Sequence, residues 1–429
     1  MTVNAHQKSS LWLLEQTYAL IGLMHMVGAF KFLTITGADI QQLQTGAVQL
    51  TDGSLGFQIF GSAIYMIALI VLLPRYQDVI ALLIRNKALV CFVGLIMISA
   101  LWSDLPTVTL RRSAALFGTT IFAMYLAVRI KPREFITLLA ISLGFVAVES
   151  LLLVFLVPDI AVQTRSYIDT WAGALGHKNI FGRTMVLCML VMWAVLPQAR
   201  TYKPVVWGIF FLALFEVVMS QSRTSWIVGV GLLLALPFLR YLRAARVPMT
   251  MRLVLVAIIG LGGVGYLVLQ FADDGLALLG RDATFSGRTD IWASAINVGL
   301  KSPWLGSGYR TFYTSGLTNR VQIGNGHNSF LDIWLELGTV GLVLFLATMV
   351  VAISRALNRL SSYDDRRGLL YVMFMIFMMV FGMAAQVFPD HGTIPWVMYV
   401  TIILYLTPMG SVIQPERAVR RHEVPAPAE

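Results

Sequence analysis

Arg281, Arg288, Arg310, Arg320 and His327 gather in one polar stretch, residues 272–330, among glycines and aromatic residues. A guanidinium grips phosphate or carboxylate through two parallel hydrogen bonds, and a neutral imidazole accepts a proton near pH 7. The inventory is that of anion binding joined to proton transfer. His327 stands in Gly324-Asn-Gly-His-Asn-Ser-Phe-Leu-Asp332, directly before an apolar run. A helix beginning there turns its positive end toward the imidazole and favours the uncharged ring; the competing reading is a structural histidine. Arg288 opens a segment in which Ile291, Trp292, Ala295, Ile296 and Leu300 share one helical face. That helix is expected to lie along the bilayer surface, with Arg288 near its positive end. Arg310 closes Ser302-Pro-Trp-Leu-Gly-Ser-Gly-Tyr-Arg310, whose glycines mark a sharp bend.

Three more features place cations beside apolar runs. Trp102-Ser-Asp-Leu-Pro-Thr-Val-Thr-Leu-Arg-Arg112 sets Arg111 and Arg112 at the mouth of a long apolar segment. They meet an anionic ligand there, or they snorkel to phospholipid headgroups. In Gly173-Ala-Leu-Gly-His-Lys-Asn-Ile-Phe-Gly182, His177 and Lys178 precede or open a helix whose first N–H groups attract an anion; polar capping is the alternative. Ser220-Gln-Ser-Arg-Thr-Ser225 is squeezed between two apolar runs and holds Arg223 at membrane depth or its outer edge. An unpaired charge at depth costs about 2.5–3.5 kcal/mol on insertion scales, so Arg223 either binds a lipid-carrier phosphate or pairs with Glu216. No Asp-x-Asp pair occurs on the outer side, and no His, Cys and carboxylate spacing suits a metal. The chemistry expected is metal-independent and needs no cofactor.

The elements that must position these groups are membrane helices. The chain is 57% hydrophobic and only 13% charged over 429 residues, with mean hydropathy +0.75, which excludes an ordinary soluble globule. The fold class expected is an all-α polytopic membrane protein with about 12 transmembrane helices. Their approximate limits are 12–35, 55–73, 87–102, 108–128, 133–157, 180–197, 204–220, 224–240, 252–271, 329–353, 368–387 and 395–408. Residues 77–86 read as a short interfacial helix. Division of the chain follows: helices one to nine in 1–271, a periplasmic catalytic loop with short helices in 272–328, helices ten to twelve in 329–410, and a disordered cytoplasmic tail in 411–429.

The net charge of +10 is spread as short basic clusters between apolar runs. That is the pattern of cytoplasmic loops rather than of nucleic-acid binding. With the N-terminus inside, about 20 of the 32 basic residues fall on inner connections, and the 272–330 loop lies outside. Cys91 and Cys188 both sit in apolar segments and suit neither a disulfide framework nor a metal site. The first apolar run contains Glu15 and lacks a small-residue cleavage site, so a cleaved signal peptide is not expected.

With these residues in view, the chain resembles the O-antigen ligase and polymerase superfamily, and within it the succinoglycan-type exopolysaccharide polymerases. The likeness rests on Trp-Ser-Asp-x-Pro to Leu-Arg-Arg, Gly-His-Lys-Asn, Ser-Arg-Thr, Ser-Gly-Arg and Gly-His-Asn-Ser-Phe, in that order. The resemblance implies a donor, an oligosaccharide on undecaprenyl pyrophosphate, and transfer of that glycan to an acceptor hydroxyl at the periplasmic face of the bacterial inner membrane. It implies that Arg223 and Arg288 hold the pyrophosphate and that His327 activates the acceptor. His177, Lys178, Arg111, Arg112 and Arg310 join as substrate-binding residues on physical grounds. Expected partners are membrane lipids and chain-length regulator, flippase and export proteins, with no nucleic acid. Two rivals remain: a ligase that moves a finished glycan from the same carrier to lipid A core or protein, and a transporter or flippase of an anionic glycolipid. Transport favours charges near the midplane and an inverted repeat, whereas these charges cluster at one face.

Overall fold

The computed structural model describes residues 5–29, 31–34, 55–165, 168–244, 248, 288–313, 328–360 and 366–408. The expected ninth span, the tail, most of the first external loop, and Arg281, Arg320 and His327 lie outside the described residues.

The chain folds as α1 (Ala5–Val27), α2 (Leu55–Leu72), α3 (Tyr76–Arg85), α4 (Lys87–Ile98), α5 (Pro106–Arg129), α6 (Pro132–Leu156), α7 (Lys178–Val195), α8 (Lys203–Met219), α9 (Arg223–Ala244), α10 (Arg288–Gly299), α11 (Ser329–Leu360), α12 (Arg367–Ala384) and α13 (Ile394–Tyr405). A helix satisfies its own backbone polar groups, which a bilayer demands. Among the described residues, seven helical stretches are long and apolar enough to cross a membrane, and Lys87–Leu101 and Ile394–Tyr405 are shorter apolar helices. Prolines near the starts of α5, α6 and α13 each remove one donor that the first turn could not pair.

Burial separates the inner helices from the outer ones. α12 and α13 are buried almost all round, with Trp396, Tyr399, Tyr371 and Phe374 fully enclosed, as helices apolar on every face should be. α13 packs on α5, α5 on α2, α7 on α8, and α11 on α12. α2 and α8 leave broad apolar faces exposed, including Ile59, Met66, Ile70, Val205 and Phe211, which suits contact with lipid tails.

Three findings depart from the sequence reading. The fold is not wholly helical: β1 (Val162–Arg165) and β2 (Ile168–Trp171) form an antiparallel hairpin. Gln163 fastens it to the following segment, donating to Gly176 O at 3.0 Å and accepting from Lys178 N at 3.4 Å. The apolar face of α10 expected on the bilayer surface is also split. Ala295 is buried against Phe312 and Leu335, while Ile296 and Leu300 are exposed. A Cβ on Gly299 would come within 2.6 Å of Leu335, so a glycine lets α10 lie directly on α11.

The third departure is that α11 is broken. Gly338 has φ +67° in its interior, a conformation natural only to glycine. The Ser302–Gly308 turn fills the break with backbone hydrogen bonds. Thr339 N donates to Pro303 O at 2.8 Å and Val340 N to Trp304 O at 3.2 Å, while Ser307 N donates to Leu335 O at 3.1 Å and Gly308 N to Glu336 O at 2.8 Å. Backbone freed inside a membrane helix must find new partners, and here the polar loop supplies them.

Candidate functional site

Each side of the site is built by local contacts. The Trp102–Arg112 feature folds against the Ser302–Arg310 turn. Trp102 Nε1 donates to Leu305 O at 3.0 Å, Thr109 Oγ1 to Tyr309 O at 3.1 Å and Arg112 Nη1 to Arg310 O at 2.7 Å. Gly308, at φ +98°, lies where a Cβ would strike Ser103 at 2.5 Å. The two features expected to share a site therefore touch, side chains of the first meeting backbone carbonyls of the second.

The segment between α12 and α13 joins them. Ser329 Oγ accepts from Val387 N at 2.8 Å and donates to Ala385 O at 3.0 Å. Tyr309 donates through its hydroxyl to Pro389 O at 3.2 Å, and Gly392 N donates to Thr119 Oγ1 at 2.9 Å. Asp390 is thereby presented to Arg310, and the two form an ion pair. Burial alone would lower the Arg310 pKa, but Asp390, Tyr309 and Glu336 outweigh it and raise the value above the ordinary range. Burial likewise raises the Tyr309 pKa.

These elements enclose a cavity of about 340 Å³, at the small end of the range for ligand pockets. Lys31, Arg111, Arg112 and Arg183 line it together with Asp390 and His391. Arg183, buried in α7, donates to Gln386 O at 2.8 Å, and His391 Nδ1 lies 3.8 Å from an Asp390 oxygen. His25, Phe57, Gln58, Ser62 and Tyr65 form the α1–α2 wall. Among the described lining residues cations outnumber carboxylates four to one, a lining that suits an anion.

The Gly-His-Lys-Asn and Ser-Arg-Thr features meet each other rather than this cavity. His177 caps α7, its Nδ1 accepting from Asn179 N at 3.2 Å, so the polar-capping reading holds for its ring. Lys178 is the first residue of α7. Ser222 Oγ donates to Asn179 Oδ1 at 3.0 Å, which brings Arg223, the exposed first residue of α9, beside that helix start. Glu216 does not pair with Arg223. It is fully buried, and its carboxylate oxygens make no hydrogen bond among the described residues. Arg288 is the first residue of α10. His327 lies outside the described residues; the next residue, Asn328, caps α11 by accepting from Phe330 N at 3.0 Å and Leu331 N at 3.2 Å.

The geometry thus gathers Arg111, Arg112 and Arg310 with four residues absent from the sequence candidates: Lys31, Arg183, Asp390 and His391. Arg183 carried a signal, since a charge inside an apolar run is a functional mark by default. Lys31 carried the same signal, standing inside the expected first span at 12–35, whereas Asp390 stands in the short gap between the last two spans and carries no such mark.

Comparison with known proteins bears on this arrangement. The O-antigen ligase family model matches residues 208–346, which take in most of α8, all of α9 and α10, and α11 to beyond its break. The exopolysaccharide production protein ExoQ of Rhizobium meliloti (strain 1021) is 26% identical over 319 residues, covering 70% of this chain and 72% of that protein. The chain resembles the O-antigen ligase and polymerase superfamily. The stretch matched to that superfamily's ligase model carries Arg223, Arg288, Arg310 and His327, whereas Lys31, Arg111, Arg112, Arg183 and Asp390 come from outside it.

Proposed function

We propose that the chain is a glycosyltransferase that polymerises undecaprenyl-pyrophosphate-linked oligosaccharide repeat units into exopolysaccharide at the periplasmic face of the inner membrane. The observation that carries this reading is the convergence of Lys31, Arg111, Arg112 and Arg183 on one cavity at one end of a helical membrane bundle. Pyrophosphate is a good leaving group, and fixed cations that meet its developing charge do the work of a metal or a general acid. The bond between the donor's anomeric carbon and the pyrophosphate oxygen breaks, the acceptor hydroxyl oxygen bonds to that carbon, and its proton passes to His327. Arg223 and Arg288 stay in the proposal as further holders of the pyrophosphate, with His177 and Lys178 at the neighbouring helix start.

A ligase is the second reading, favoured by the description of the matching family model. Deleting the gene and sizing the cell's glycans separates the two. Loss of a polymerase leaves single repeat units on the lipid carrier, and loss of a ligase leaves long undelivered chains there. Units trapped on the cytoplasmic side would overturn both in favour of a transporter.

A further inference from the structure

The cavity has two chemically different walls. Arg112 and Arg183 supply guanidinium groups on one, whereas α1 and α2 supply an imidazole, an amide, two hydroxyls and an aromatic ring on the other. We infer that His25, Phe57, Gln58, Ser62 and Tyr65 form a monosaccharide subsite, which holds the sugar attached directly to the donor phosphate and selects its identity.

The chemistry of the wall favours a neutral polyhydroxyl ligand. Amide and hydroxyl groups exchange hydrogen bonds with sugar hydroxyls in both directions, and an aromatic ring offers an apolar surface to the C–H face of a pyranose. Pockets of this kind combine apolar walls with a few placed polar groups. His25 is the buried anchor of this wall. It is 2% exposed, it stacks on Phe57 with ring centroids 4.0 Å apart, and its Nδ1 makes no hydrogen bond among the described residues. Its Nδ1 is sealed from the cavity, so His25 serves the subsite by holding Phe57 in place rather than by bonding the sugar. Gly61 keeps the ring in place, because a Cβ there would lie 2.9 Å from His25 Nε2. Tyr65 is oriented by Thr119, whose Oγ1 donates to its hydroxyl at 3.0 Å. Since both walls belong to one cavity, a sugar seated here is adjacent to the cations, as the first sugar of a pyrophosphate donor must be.

This inference rests on the donor reading given above, and binding measurements separate the two. The full-length protein in nanodiscs is titrated with bare undecaprenyl pyrophosphate and with the same carrier bearing glucose, galactose or N-acetylglucosamine. Gln58→Ala is expected to weaken binding of at least one glycosylated carrier about tenfold, the worth of one or two hydrogen bonds, and His25→Ala to weaken it through the displaced Phe57, with bare-carrier affinity unchanged. Bare-carrier binding also verifies that each variant is folded, and Gln58→Ala, at a half-buried position, decides the matter should His25→Ala not assemble. Unchanged affinity for every glycosylated carrier, or equal loss for bare and glycosylated forms, overturns the subsite and leaves the donor reading standing. A wild-type protein that binds none of these carriers overturns the donor reading and the subsite together.

Discussion

Two histidines compete for the role of base. His391 lines the cavity beside Asp390, while His327 directly precedes the cap of α11 and matches the loop histidine that the superfamily resemblance puts forward. A general base contributes about 10²–10⁴ in rate. We expect His327→Ala to lower chain growth by at least about a hundredfold, and His391→Ala, which removes only a neighbour of the anion, by about tenfold or less. Polymer formation from labelled lipid-linked units in vesicles measures both. A deeper loss in His391→Ala than in His327→Ala would transfer the role to His391. At this scale the sequence was legible wherever a charge opposed its surroundings. Arg111 and Arg112 stand out for that reason, and Arg112 meets the Arg310 backbone in the structure. Arg183 and Lys31 obey the same rule inside expected spans, whereas Asp390 acquires its meaning only from contacts between distant segments.

Every expected segment on described residues contains a helix, seven helical stretches among them being long and apolar enough to span, and α3 covers nearly all of 77–86. Hydrophobic length suffices to find such elements, because the bilayer fixes the length a span needs. It does not reveal an interruption. Gly338 sits in an apolar run where it reads as one more small residue, yet it breaks α11 and receives the Ser302–Gly308 turn. A Cβ at this position would lie 2.1 Å from the Trp304 carbonyl and would force positive φ on a side-chain-bearing residue, so Gly338→Ala should destabilise the protein by at least about 1–3 kcal/mol. It should also abolish activity, since the same turn carries Arg310 to Asp390. Gly94→Ala is the control: nothing lies within 4 Å of a Cβ there. Denaturation in detergent compares the two, and a Gly338→Ala protein as stable as Gly94→Ala would mean that the turn does not depend on the break. The β-hairpin escaped a helical reading because strands this short have no periodicity to display.

Arginines at the two ends of the bundle do different work, and that difference bears on how the whole molecule sits in its membrane. At one end they tie helices to one another: Arg129 pairs with Glu15, Arg355 donates to Asn86 Oδ1 at 2.6 Å and Arg85 O at 3.0 Å, and Arg366 donates to Trp193 O at 2.7 Å. At the other end they surround the cavity. The first set belongs to the connections that the basic-residue bias assigns to the cytoplasm, and the second to the opposite side. That orientation opens the cavity to the periplasm, as the proposed polymerisation requires. Impermeant thiol labelling decides this in a background with Cys91 and Cys188 replaced. Ser302 and Lys203 are both exposed, at the cavity end and the opposite end respectively. Ser302→Cys should react in intact spheroplasts, and Lys203→Cys only after the membrane is permeabilised. The opposite order would turn the molecule over, place the four cations in the cytoplasm, and exclude polymerisation at the periplasmic face whatever the chemistry of the cavity.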